Sequence, residues 1–503
     1  MSFAPGPFVD GPFKAGPFRA GPFNMYGVLW DFAATPPPAA AAGFRRTGLG
    51  TLTNVAGNVV YGDHNLLTHS EQLDNAAWPF NNVLAFGAGS TANAAVSPSG
   101  ETTADFVCPS TAASPYHTIR QDNVTVNQIQ TFSVYAKAAG YSYIQLLNAN
   151  ASRTVCYDLT NGSISTLPAG VTSATCDDVG GGWYRCTYTA QAEVWTYALV
   201  NVSDTFVATG GSAPASWTPN GTSGIYLWGA QLNAGYTALT YVPTTTAAVY
   251  LPRYTFNPTT HAALGLLIEP QVTQLLNNGG LDGAMATQTV TVAAVANTLS
   301  FTGTGTVTLS GVSTAGPLVG TGTGEANRVS LTFTPTAGSL TLTVSGTCTN
   351  AQLEAGSVAT SVIPQSTAGT LVRTTDGNWD ITGSDFTQLW GSGSERTIIV
   401  EWYDTGTALE HGLVMGHVGG SIANEAIGLY VNTSNELIYY AKAGGAAQAT
   451  LTAGTIVAGT LAAPGRNKAA FRFGSGAFGV TLNGAAEVTG TGTIPTVTDL
   501  RVA

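Results

Sequence analysis

Charge is scarce in this chain. Only 9% of its 503 residues are Asp, Glu, Lys or Arg, against roughly a quarter in an ordinary soluble protein. The formal net charge of −11 excludes a broad electrostatic grip on nucleic acid or on an anionic membrane, both of which require Lys and Arg. The five cysteines, at 108, 156, 176, 186 and 348, include no Cys-x-x-Cys, which excludes a zinc knuckle and a thioredoxin-like pair. Their odd number does not suit a fully paired disulfide framework, so reduced, buried thiols made in a cytoplasm are expected. No apolar run approaches the ~18–20 residues of a membrane helix. Pro and Gly interrupt every apolar run near the N-terminus, and Lys14 and Arg19 come late, unlike a signal peptide. Apolar residues at helical spacing are also missing.

What is abundant is Gly, 61 residues of it, with much Thr, Ala and Val. That mixture suits short strands joined by tight turns, and the expected fold class is all-β. A surface so poor in charge suits cover by neighbouring chains, which points to an oligomer.

One phrase occurs twice. Residues 230–247 read AQLNAGYTALTYVPTTTA and residues 351–368 read AQLEAGSVATSVIPQSTA, nine of eighteen positions matching without a gap. Recurrence of this kind marks a packing unit, so the two stretches are read as final strands of tandem modules. Each Pro, at 243 and 364, has no N–H for a ladder and marks where the strand stops.

The chain divides accordingly. Residues 1–24 carry Gly-Pro-Phe four times at a five-residue period. This extended arm is read as a docking element with Pro7, Phe8, Pro12, Phe13, Pro17, Phe18, Pro22 and Phe23 as anchors, the alternative being a low-complexity tail. Residues 25–64, with Pro36-Pro37-Pro38, form a linker or packing segment in which Arg45-Arg46 reads as a solvated pair. Residues 65–250 form a first β-sandwich. Its strands are expected near 131–137, 143–147, 183–189, 194–200 and 225–232, with Gly180-Gly181-Gly182 as a turn. A smaller sandwich spans 251–373, where Val329, Leu331 and Phe333 are expected to form a hairpin with Leu340, Leu342 and Val344. The last sandwich, 374–503, shows alternation at Ile398, Val400 and Trp402 and a turn signal at Asn483-Gly484.

Catalytic signatures are wanting: there is no G-x-S-x-G, H-E-x-x-H or P-loop. Gly474 to Gly479 spells G-x-G-x-x-G, but it lies between strands, has no helix to open and reads as a turn. Asp376-Gly377-Asn378-Trp379-Asp380 begins like a calcium loop, yet Ile381 and Thr387 occupy the Gly and Glu positions, so a polar turn is expected and no metal is assigned. His411 and His417 lack a third ligand. Asp177-Asp178 cannot straddle a glycosidic bond, because neighbours on a strand point to opposite faces. No cofactor is expected. Sugar binding needs aromatic faces and a few amides or carboxylates; the candidates are Trp183, Trp195, Trp228, Trp390 and Trp402, with core filling as the competing role. Tyr226 and Trp228 are expected to share a face with Leu232.

Asn65-Leu66-Leu67-Thr68-His69-Ser70-Glu71-Gln72-Leu73-Asp74-Asn75-Ala76-Ala77-Trp78 resembles the opening of a carbohydrate-binding-like jelly roll common in structural proteins of tailed bacteriophages. Residues 132–137 (FSVYAK), 182–186 (GWYRC), 227–232 (LWGAQL) and 241–245 (YVPTT) follow in that module's usual order. The second module keeps the exit phrase but lacks the Ala-Trp opening and the Gly-Trp-Tyr-Arg strand, as a degenerate copy would. The third resembles a laminin-G or concanavalin-like sandwich whose usual last strand would come after Val502-Ala503.

The resemblance implies a virion appendage, a tail fibre or tail-associated receptor-binding protein, released by lysis and presented to host surface polysaccharide. It would be held to other virion proteins by its arm, without enzymatic activity and without membrane insertion. Three readings stay open beside it: a head fibre or decoration protein that binds no sugar, a glycan depolymerase, and a bacterial surface adhesin.

Overall fold

The computed structural model describes residues 46–502 except 123–128, 148–152, 191–196, 280, 282, 364–370, 375, 377–378, 382–385, 387–394, 405–409 and 460–464. The docking arm, Trp195 and Trp390 therefore lie outside the described residues. The fold is all-β, built from antiparallel sheets packed in pairs.

Residues Val60–Leu251 form one compact unit. Its six-stranded sheet runs in the order Val171–Gly180, Trp183–Ala190, Gln130–Ala139, Gly224–Ala234, Ala104–Val107, Thr91–Ala95. A five-stranded sheet of Val155–Asp158, Tyr143–Leu147, Tyr197–Ser203, Thr118–Asp122 and Phe80–Asn81 faces it. Alternation puts Phe132, Val134 and Ala136 from one sheet against Ile144, Leu146 and Val200 from the other, all buried. Each such side chain contributes about 1.5–3 kcal/mol on leaving water. The Tyr157 hydroxyl donates to the Thr187 carbonyl at 2.6 Å within this core.

The Gly224–Ala234 strand is bulged. Its pairing with Gln130–Ala139 shifts between Trp228 and Gln231, and Gly229 takes φ +61°, a conformation that costs Gly little. Ile225 and Leu227 before the bulge and Ala230 and Leu232 after it all reach the same core. Tyr226 and Trp228 consequently face the other way, in a separate layer with Trp183, Tyr135 and Tyr241. The expectation that Tyr226 and Trp228 share a face with Leu232 fails for this reason: the extra residue inverts the alternation.

The other compact unit comprises the remaining described residues. Within it, one sandwich pairs the sheet Val329–Phe333, Asn297–Gly303, Cys348–Ala355, Val272–Gln274, Leu371–Arg373 with the sheet Gln288–Val292, Gly338–Ser345, Thr306–Gly311, Leu318–Val319. The expected hairpin between Val329–Phe333 and Gly338–Ser345 does not form. The two strands belong to opposite sheets, the first pairing with Asn297–Gly303 and the second with Gln288–Val292 and Thr306–Gly311. Residues 334–337 turn a sandwich corner, so the two apolar faces meet across the core instead of lying side by side.

This smaller sandwich repeats the closing apparatus of the larger one. In the first, the Gln231 carboxamide oxygen accepts the Val242 N–H at 2.8 Å and Asn233 Oδ1 accepts the Leu239 N–H at 3.1 Å. In the second, Gln352 accepts the Ile363 N–H at 2.7 Å and Glu354 accepts the Thr360 N–H at 2.7 Å. Asn65 Nδ2 donates to the Ala230 carbonyl while its Oδ1 accepts the Leu232 N–H; Gln274 does the same to Ala351 and Leu353. Arg185 reaches Ser133 Oγ and the Leu239 carbonyl, and Arg328 reaches Ser300 Oγ and the Thr360 carbonyl. Even the bulge recurs: Asn350 stands at φ +50° where Gly229 stands at +61°.

Two expectations change with this. The second module keeps the strand that Gly-Trp-Tyr-Arg marks in the first, as Val329–Phe333 preceded by Arg328, whereas of the opening it keeps only Gln274-Leu275-Leu276 in the place of Asn65-Leu66-Leu67 and lacks the Ala-Trp, as read. The strands end at Ala234 and Ala355, well before Pro243 and Pro364. Residues 235–242 and 356–363 return over their own strands, held by Gln231 and Gln352.

Arg46 is buried and paired with Asp376 at 3.3 Å, which corrects its reading as a solvated residue; Arg45 lies outside the described residues. Asp376 also pairs with Arg253, whose Nη2 lies 2.8 Å from Glu269, and Glu269 pairs with Arg373 at 3.0 Å. Burial alone would raise the Glu269 carboxyl, but Arg373 and Arg253 outweigh it and hold it down at about 2. Asp376, where the calcium-like spelling begins, is thus one of two carboxylates in a buried ion network. Thr51–Thr53 packs alongside Arg253–Phe256, the Thr53 N–H donating to Thr255 Oγ1 at 3.2 Å, so this end of the linker is docked.

The last sandwich pairs a six-stranded sheet, Trp379–Ile381, Asp499–Val502, His411–Val418, Ser421–Val431, Glu436–Ala443, Ala446–Thr455, with Glu395–Asp404, Gly465–Gly474, Ala477–Leu482 and Val488–Thr491. Asp499–Val502 lies inside the first sheet, between Trp379–Ile381 and His411–Val418. Ser475 and Gly476 turn with positive φ between two strands, as read for the G-x-G-x-x-G spelling. Asn483 and Gly484 do likewise.

Candidate functional site

The stretch Ser70 to Trp78 folds as consecutive turns. Gln72 N–H donates to His69 O, Asn75 N–H to Gln72 O and Trp78 N–H to Asn75 O. Its apolar members go inward: Leu73 and Trp78 are each 1% exposed, and the indole N–H donates to the His69 carbonyl at 2.9 Å. That leaves Glu71, Gln72, Asp74, Asn75 and Ala76 facing outward, where they line a cleft of about 730 Å³. Thr244 and Thr245 from the exit phrase line it too, with Asn93, Thr103, Pro243 and Val249.

The turn and the exit phrase are tied together. Ser70 Oγ accepts the Thr244 N–H at 2.8 Å and lies 2.8 Å from the Tyr241 hydroxyl, which donates to Glu71 Oε1 at 3.1 Å. Beneath them Asp105, 1% exposed, accepts the Leu73 N–H and the Asn93 N–H at 2.8 Å each, one on either oxygen. Burial pushes its carboxyl up to about 6, against the pull of these two donors. Burial also raises Glu71. The lining thus offers two carboxylates, three carboxamides and three hydroxyls with no Lys or Arg. Such a set accepts from and donates to the hydroxyls of a neutral polyol and disfavours anions. Trp228, Tyr135 and Tyr241 pack together beside it, ring centroids 4.7–6.0 Å apart.

The described indole candidates, Trp183, Trp228 and Trp402, do not line this cleft. Trp183 and Trp228 are each 4% exposed, and Trp183 Nε1 is spent on the Val96 carbonyl at 3.1 Å. Both fill the layer outside the six-stranded sheet and offer no free ring face to a sugar. Trp402 is half-buried against the core of the last sandwich. Sequence reading quoted Glu71 to Asn75 and Thr244-Thr245 only as marks of resemblance, and it missed Asn93, Thr103 and Asp105. Nothing local announces those three, because chain folding over 30 residues brings them under the turn.

The remaining candidates stay apart. Asp177 and Asp178 sit next to each other on the edge strand, one accepting from Thr175 Oγ1 and the other from the Gly180 N–H. His411 Nε2 lies 3.1 Å from Asp404, and His417 Nδ1 accepts the Gly420 N–H. Among the described residues no group of three His, Cys, Asp or Glu is placed to hold a metal ion.

No family model matches the chain and no curated protein matches it. Among solved structures, the LG1-3 region of the laminin alpha2 chain is similar at 10% identity over 76% of this chain and 91% of that one, with a TM-score of 0.15. The arabinofuranosyltransferase AftD from Mycobacteria is similar at 12% identity over 85% of this chain and 37% of that one, with a TM-score of 0.16.

Proposed function

We propose that this protein is a non-enzymatic structural component of a bacteriophage particle, a tail fibre or tail-associated receptor-binding protein. In this reading it is anchored through Pro7, Phe8 and the repeats that follow and presents host surface polysaccharide with the Glu71–Thr245 cleft. The observation that carries the reading is that cleft: a hydroxyl- and amide-rich hollow, free of basic residues, on a sandwich set in tandem with a reduced copy of itself. Tandem sandwiches act as spacers, and the full one carries the hollow. A homo-trimer, released by lysis, is part of the proposal.

Deleting residues 1–23 tests the anchor. The shortened protein is expected to fold and to be absent from purified particles; normal incorporation would remove the anchor. Antibody labelling of particles in the electron microscope then separates tail from head. Label on the capsid would favour the head-fibre alternative.

A further inference from the structure

Cys176 and Cys186 face each other across the first hairpin of the six-stranded sheet. They are direct partners in the register of Val171–Gly180 and Trp183–Ala190, and their sulfurs are 3.4 Å apart. Directly opposed residues of an antiparallel pair have Cα atoms about 4.5–5.5 Å apart, inside the ~4.4–6.8 Å span of disulfides. The other three thiols are engaged elsewhere. Cys108 Sγ donates to the Ser223 carbonyl, Cys156 Sγ accepts the Val207 N–H, and Cys348 is buried in the smaller sandwich. Cys186 is fully buried, whereas Cys176, on an edge strand, is half-buried against the core.

We propose that Cys176 and Cys186 form a disulfide once the protein meets an oxidising small-molecule disulfide, stapling the edge strand to its sheet. The half-buried Cys176 gives up its proton and attacks one sulfur of oxidised glutathione, releasing one glutathione thiolate, which takes up that proton. The Cys186 thiol then loses its proton as its sulfur attacks Cys176, and the second glutathione leaves as a thiol. Two protein thiols are oxidised and one glutathione disulfide is reduced, with no electrons left over. Thus one pair and three buried thiols account for the odd cysteine number.

The full chain is incubated with oxidised glutathione, denatured and alkylated. Two of its five thiols are expected to be protected, with one cross-linked peptide joining Cys176 to Cys186. The oxidised protein is also expected to melt roughly 5 °C higher than the reduced one, and Cys176→Ser is expected to abolish both effects. Five alkylated thiols after oxidation, a bridge to Cys108, Cys156 or Cys348, or a glutathione adduct that persists on Cys176 would each overturn the proposal.

Discussion

The two repeated sandwiches share their closure and differ in what the closure carries. Bulge, returning segment, Gln, opening amide and bridging Arg recur with the same bonds in both, although only half of the repeated phrase is identical and the amide, the Arg and the bulge residue lie outside it. The larger sandwich has in addition the segment from His69 to Asp105, which supplies most of the cleft; the smaller passes from Leu276 to Gln288–Val292 without it. What recurs is scaffold, and what occurs once is the candidate site. The second difference is charge. Where the first sandwich has Asn233, the second has Glu354, 1% exposed, beside Arg328 and within reach of a buried Arg–carboxylate network.

The largest expected effect separates the two arginines. Arg328→Met leaves the buried Glu325 carboxylate and the Thr360 carbonyl without their donor, and the smaller sandwich is expected to lose about 4 kcal/mol in a denaturant titration. Arg185→Met, at a half-buried position with neutral partners, is expected to cost about 1–2 kcal/mol. Equal losses would break the distinction.

Acid comes next. Glu269 is held at about 2, below its ordinary 4.5. Its contribution is therefore present above pH 4.5 and lost as the pH falls towards 2, on the order of 3 kcal/mol. Glu354 works in the opposite direction: burial raises it, so its ionisation costs stability and acid relieves that cost. Glu269→Gln is expected to flatten the acid limb of the melting-temperature profile, while Glu354→Gln is expected to leave that limb in place.

Gln231→Ala and Gln352→Ala each strand a buried backbone N–H, that of Val242 or Ile363, and about 2 kcal/mol is expected at each site. The bulge gives the smallest contrast. Gly229→Ala places a Cβ 2.9 Å from the Tyr135 ring at positive φ and is expected to cost about 1–2 kcal/mol. Asn350→Gly is expected to change stability by less than ~0.5 kcal/mol.

The all-β class and five of the eleven strands in the two sheets of the first sandwich were legible, the central one because Phe132, Val134 and Ala136 alternate without interruption. The facing of Trp228 was not, because a bulge shifts the count by one and Gly229 is one of many glycines. The hairpin expected at 329–344 failed because short corners and short hairpins have the same turn residues and the same alternation. The kinship of the second module was hidden where Glu-Ala-Asn-Arg replaces Gly-Trp-Tyr-Arg, since only the Arg makes the bridging bonds. Of the cleft, the turn at Glu71 to Asn75 was visible as a motif, whereas Asn93 and Thr103 enter it, and Asp105 comes beneath it, only through folding.

The central claim is that the segment unique to the larger sandwich binds sugar. The direct measurement applies the full chain and its Gln72→Ala, Asp74→Ala double variant to an array of bacterial surface polysaccharides, with both proteins melting at the same temperature. Binding to a subset of glycans by the parent, lost in the variant, is the predicted result. No binding by either protein, or equal binding by both, would contradict it.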